Sequence, residues 1–322
     1  MKLSTFLQLD LPAMLAALFA TLACALIGNF LVLRRQSLMG DAVSHAVLPG
    51  IVIAFLIWGS RATWPVFIGA AAAALTAVVL IELVRRYGRL DAGTAMAVVF
   101  SIMFAAGVVM MEQAAARNID LDAECVLYGQ LEDIIWLAPT TLASLLDPAV
   151  WEELPREVWT LFGAFVFTSV VVTLFWKELK LASFDPALAS ALGFPAGRID
   201  LALMFVVGIV AVAAFEAVGS ILVIAMFICP AASARLLTDR LSTQVAISLV
   251  LAAISAIAGY LLAAFGPMWF GHEHSLAASG MIAVVSGVIL AVSVVAAPRY
   301  GLLARRFRPE AASAGTAAAV RE

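Results

Sequence analysis

The sequence predicts an all-α protein, a polytopic bundle of about nine transmembrane helices with eight possible. Three observations carry that expectation. Hydrophobic residues make up 64% of the 322 positions and charged ones 13%, about half the ordinary share of charge in a soluble domain. Apolar runs of 18 to 25 residues recur between positions 11 and 297, each long enough to cross a hydrocarbon layer about 30 Å thick. The breaks between the runs alternate between rich and poor in basic residues, as loops on opposite sides of a membrane do. A soluble enzyme, a nucleic-acid binder and a disordered chain are all excluded by this composition.

Taken in order, the runs predict spans at 12–33, 38–58, 64–84, 93–111, 158–176, 199–216, 218–237, 243–265 and 278–297. An odd number of crossings puts the termini on opposite sides. Arg34, Arg35, Arg85, Arg86, Arg89, Lys177, Lys180, Arg198, Arg235, Arg240, Arg299, Arg305, Arg306, Arg308 and Arg321 then fall on one side, against Lys2, Arg61, Arg117 and Arg156 on the other. The positive-inside bias therefore puts an outer segment at 1–11, the membrane-spanning body at 12–297 and a tail at 298–322 in the cytoplasm. Asp10 and the length of the first run argue for a retained helix rather than a signal peptide.

The long break at 112–157 is acidic and falls on the outer side. Its apolar middle, 134–146, is too short to span and suits an interfacial or re-entrant piece. The carboxylates can be a solvated loop, or a negative mouth that attracts cations or a basic docking protein. After Pro309 the tail is rich in Ala, Ser and Gly and reads as disordered.

The candidate chemistry opens the second run. Asp41 and His45 are four residues apart, which on a helix stacks a carboxylate and an imidazole on one face so that both can reach one cation. Ionisable groups at this depth are costly and normally face a cavity or the bundle interior. Pro49 has no N–H for the carbonyl of His45, so a backbone oxygen is freed beside the pair, and Gly50 adds a second weak point, making a hinge. Asp41 as a helix cap and His45 as an interhelical hydrogen-bond donor is the structural alternative. As a ligand set, carboxylate, imidazole and carbonyl suit manganese, iron or zinc better than magnesium or calcium. One chain supplies too few donors for a closed site, so a second copy or a paralogue across a dyad is attractive.

Absences narrow the activity. The lysines are Lys2, Lys177 and Lys180, none after a glycine, and no G-x-G occurs, so neither a P-loop nor a dinucleotide fingerprint is present. Cys24, Cys125 and Cys229 are scattered and read as apolar filler. Between the fifth and sixth runs, Asp185 is a good N-cap, Pro186 suits the first helical position, Leu188 and Leu192 follow, and Gly193 is a natural stop. A short helix displayed there can fit a groove on a partner or merely join two spans. His272 and His274 in the last outer loop can scavenge a metal or be solvated. Glu216 falls in an outer turn as an interfacial acid or part of a gate, and Pro230 kinks the seventh run. Gly28, Gly40, Gly208, Gly219 and Gly259 fit close helix approach.

Residues 33–50 (LRRQSLMGDAVSHAVLPG) resemble the signature of the ABC-3 family, the permease subunits of manganese, zinc and iron ABC importers. The blocks at 127–131 (LYGQL), 184–193 (FDPALASALG) and 218–237 (VGSILVIAMFICPAASARLL) resemble family blocks in the same order, and 122–132 is similar to the manganese and iron branch. The resemblance implies a type II ABC importer-like permease in the inner membrane with Asp41 and His45 on the ion path and two permease subunits forming the channel. It also implies an extracytoplasmic metal-binding protein, separate ATP-binding subunits resting on the 185–193 coupling helix, and no permanently bound cofactor. The chain itself is then not an enzyme. A self-contained secondary transporter using Asp41, His45 and Glu216 as a proton relay also explains the intramembrane charges, but leaves the capped helix without a purpose.

Overall fold

A computed structural model describes residues 3–58, 63–115, 129, 131–139, 141–269, 275–298 and 301–303. Among them there are helices and turns and no strand. The helices are α1 (Leu11–Leu33), α2 (Met39–Ala46), α3 (Leu48–Trp58), α4 (Thr63–Gly88), α5 (Ala92–Ala115), α6 (Pro148–Glu152), α7 (Arg156–Leu174), α8 (Trp176–Phe184), α9 (Pro186–Ala191), α10 (Ala196–Leu237), α11 (Leu241–Trp269) and α12 (Ala278–Ala296). A helical turn at Leu3–Thr5 and a π-helix at Phe6–Asp10 lead into α1. Among the described residues eight helices are long and apolar enough to cross a membrane, and Leu222–Leu237 is a shorter apolar helix besides. The chain is a multi-pass membrane protein.

α1 and α10 form the centre, with α2 to α5 on one side, α11 and α12 on the other, and α7 against α1. In the most apolar stretch of the first span 72% of residues are buried, against 28% for α5 and 22% for α7, so the first is a core helix and the latter two face the surroundings. Small residues bring the centre together. A Cβ on Gly28 would collide with the carbonyl oxygen of Phe227, and one on Gly40 would come within 2.6 Å of the Phe227 ring. Gly259 meets the backbone of Ile282 in the same way. Gly208 has only ordinary contacts, the nearest at 3.8 Å, so it needs no glycine for that purpose.

α10 spans 42 residues, yet it is two helices joined at a kink. Asp200 pairs with Arg34 at the end of α1, and Phe227 touches Gly28 in the same helix. A straight helix would separate Asp200 from Phe227 by roughly 40 Å, whereas Gly28 and Arg34 are about 9 Å apart along the axis. The chain therefore doubles back at Gly219, whose φ of 74° and ψ of 167° are non-helical. That left-handed φ suits glycine. Gly219 is thus a turn residue as well as a point of close approach, and the sixth and seventh sequence spans meet with no loop between them. Pro230 lies inside the returning limb, where Gly219 is the residue with non-helical torsions.

At the far end, Gly129 (φ 76°) lies so close to Gly219 that a Cβ would collide with the Gly219 nitrogen. The stretch around Trp136 caps α1 without spanning: the Trp136 N–H donates to the Gln8 carbonyl at 2.8 Å, and Gln8 Nε2 donates to the Leu137 carbonyl at 3.0 Å. Glu132 accepts the Ala278 N–H at 2.8 Å and so satisfies a free donor at the start of α12. Inside the bundle, Asn29 donates to Ser248 at 2.6 Å and accepts from Gln244 at 3.0 Å, tying α1 to α11 with all three side chains buried.

Candidate metal site

α2 carries the Asp41 and His45 pair. Gly40 lets this helix sit against Phe227, while Met39, Ala42, Val43 and Ala46 are buried, so Asp41 and His45 occupy what remains of its surface. His45 Nε2 is 3.3 Å from Asp41 Oδ1, and the two side chains are 20% and 33% exposed. The imidazole also meets two rings of α5, with centroids 5.3 Å from Phe100 and 5.5 Å from Phe104. Those phenylalanines are roughly 12 and 18 Å along α5 from its start, so the pair lies beside the middle part of a helix long enough to span. The pair is thus partly open rather than sealed in the core.

The expected weak point follows at once. Helical structure is interrupted at Val47, where Gly50 N–H donates to the Val47 carbonyl at 3.0 Å and Ile51 N–H at 3.2 Å. The His45 carbonyl accepts the Val47 N–H, so it is not wholly free as Pro49 alone suggested, although a carbonyl retains a second lone pair. Beyond the break α3 is held tightly. Gly50 and Gly69 face each other so closely that a Cβ on either would strike the other's carbonyl oxygen, and a Cβ on Gly107 would lie 2.9 Å from the Pro49 ring.

Carboxylate and imidazole together can ligate a borderline divalent ion. Among the described residues no group of three or more His, Cys, Asp or Glu side chains could hold a metal, so the pair is a set of two side-chain donors. His272 and His274 lie outside the described residues, as does the side chain of Glu216, although its backbone falls in the turn of α10 just before Gly219.

The short helix reads as the sequence predicts. Asp185 Oδ1 accepts the Leu188 N–H at 2.9 Å and Pro186 opens α9. Gly193, at φ 86°, closes it: Gly193 N–H donates to Ser190 at 3.1 Å and Phe194 N–H to Ala189 at 2.9 Å, the paired bonds of a Schellman stop. Ala189 is buried, while Leu188 is 46% and Leu192 61% exposed. An apolar pair one turn apart is thus displayed outward.

One cluster was not legible in the sequence. Asp200 Oδ1 accepts from Arg34 at 2.9 Å and Gln36 at 3.2 Å, its Oδ2 accepts from Arg85 at 2.9 Å, and Arg34 Nε donates to Ser183 at 2.9 Å. Burial lowers the pKa of Arg34, and the Asp200 carboxylate opposes that.

A polytopic helical bundle of this kind is the architecture of a membrane permease. The chain belongs to the ABC 3 transport family, whose profile matches residues 7–145 and 153–297. It is 37% identical over 286 residues to the manganese transport system membrane protein MntD of Bacillus subtilis, covering 89% of this chain and 91% of that one. It is 36% identical over 297 residues to the zinc transport system membrane protein TroD of Treponema pallidum, covering 92% and 76%. Among solved structures it resembles PsaBC from Streptococcus pneumoniae in complex with Fab, with a TM-score of 0.69, 27% identity and 92% of each chain covered.

Proposed function

We propose that this chain is the membrane-spanning permease subunit of an ATP-driven importer for a divalent transition metal, manganese or zinc first and iron second. The observation that carries the reading is the Asp41 and His45 pair, 3.3 Å apart and flanked by α5 rings, on a helix broken two residues later. Two donors bind an ion weakly enough to release it, and a second permease copy or paralogue supplies a further pair. Relatives named for manganese and for zinc support this choice of cargo. The ion is cargo in this reading, with no permanently bound cofactor.

ATP hydrolysis belongs to separate subunits, which rest on Leu188 and Leu192 of α9, and a metal-binding protein delivers the ion to the opposite end. The basic residues put α9 and the 298–322 tail in the cytoplasm, with the amino terminus outside the inner membrane. A proton-driven carrier would have no use for a capped helix with two outward leucines.

Co-expression with the ATP-binding subunits and reconstitution in liposomes tests the reading. Manganese or zinc uptake should require ATP and those subunits. Uptake by this chain alone, driven by a proton gradient, would contradict it.

A further inference from the structure

Asp200 stands where three separated parts of the chain converge. Its oxygens take hydrogen bonds from Arg34 and Gln36, in the link between α1 and α2, and from Arg85 near the end of α4. Asp200 lies in the first turns of α10, soon after α9, and Ser183, which receives Arg34 Nε, lies at the end of α8 just before α9. The link leading to Asp41 is therefore bonded to the chain on both sides of the displayed helix. Arg34 and Asp200 side chains are only 7% and 15% exposed, so water does little to weaken the attachment.

We infer that Asp200 is a positioning residue that carries displacement of α9 through Arg34 and Gln36 to the helix bearing Asp41 and His45. The link is short: Asp41 follows Gln36 by five residues, and Arg35 between the two gripping side chains holds a left-handed φ of 57°. The cluster also has room and capacity to change partners. Arg34 Nη2 and Gln36 Oε1 are buried without a hydrogen-bond partner among the described residues. Both side chains line a cavity of about 440 Å³ that also touches Asp200, Ser183 and Pro186. Alternative pairings of such a cluster are how packed interfaces switch between discrete states. The inference rests on the permease reading and adds the route by which the ATPase is felt at the site.

The test measures manganese moved per ATP hydrolysed by the full reconstituted complex. Asp200→Asn should lower that ratio at least fivefold while ATP hydrolysis stays within threefold of wild type, and Asp200→Glu should keep the ratio within twofold. Arg34→Gln should lower it similarly, and the double variant Arg34→Gln/Asp200→Asn should be no worse than the lower single variant, because both break one connection. If Asp200→Asn does not assemble, Ser183→Ala should still lower the ratio two- to threefold. A ratio unchanged in these variants, or additive losses in the double variant, overturns the inference. A wild-type complex that moves no metal with ATP overturns instead the permease reading beneath it.

Discussion

The Asp41 carboxylate and the His45 imidazole are held 3.3 Å apart across one turn of α2, while Phe100 and Phe104 of α5 flank the same imidazole. The rings limit the directions from which an ion can be met and keep His45 turned toward Asp41. Phe104→Ala should therefore raise the metal concentration for half-maximal uptake severalfold while leaving the protein folded. Initial uptake rates across a manganese series check this, and an unchanged curve would show that the rings only fill space.

The contact between Gly50 and Gly69 leaves no room for a side chain. Gly50→Ala should cost ~1–3 kcal/mol through overpacking, seen as a lower thermal midpoint in detergent. Gly163 on α7 has nothing within 4 Å of an added Cβ, so Gly163→Ala should be neutral or stabilising by up to ~1 kcal/mol from helix propensity. Equal effects at the two positions would contradict this packing.

Leu188 and Leu192 are displayed rather than buried. Changing both to Asp should alter stability by no more than ~0.5 kcal/mol, as surface substitutions do, yet abolish co-purification with the ATP-binding subunits. Asp185→Ala, which removes the cap on α9, should cost ~1 kcal/mol of local helix stability and weaken that association without eliminating it.

Orientation is open to direct labelling. In a variant with Cys24, Cys125 and Cys229 replaced, a cysteine at Glu153 should react with an impermeant thiol reagent in intact cells. One at Leu302, 57% exposed at the opposite end, should react only after lysis. The reverse pattern would invert the topology.

What could be read from the sequence was what is local. The caps of α9 lie within ten residues of one another, and the Asp41 to His45 spacing lies within one turn, so propensity and periodicity reveal both. Asp200 could not be read that way, because its partners at 34, 36 and 85 come near it only when α1, α4 and α10 are assembled. Arg34 and Arg85 carried a topological signal that hid their pairing. Gly219 illustrates the converse: the apolar pattern requires two spans around it, but the reversal in a single residue, with Gly129 packed against its nitrogen, shows only in the assembled fold. The histidines at 272 and 274 and the side chain of Glu216 lie outside the described residues, and the sequence reading of them stands as an expectation.

Metal uptake by Asp41→Ala and His45→Ala, each matched to wild type for membrane abundance and ATPase association, tests the central claim most directly. Initial rates of manganese and zinc uptake should fall at least tenfold in each variant, with the complex intact. Uptake within twofold of wild type in both would mean that the pair merely caps and bonds its own helix, and that the ion passes elsewhere.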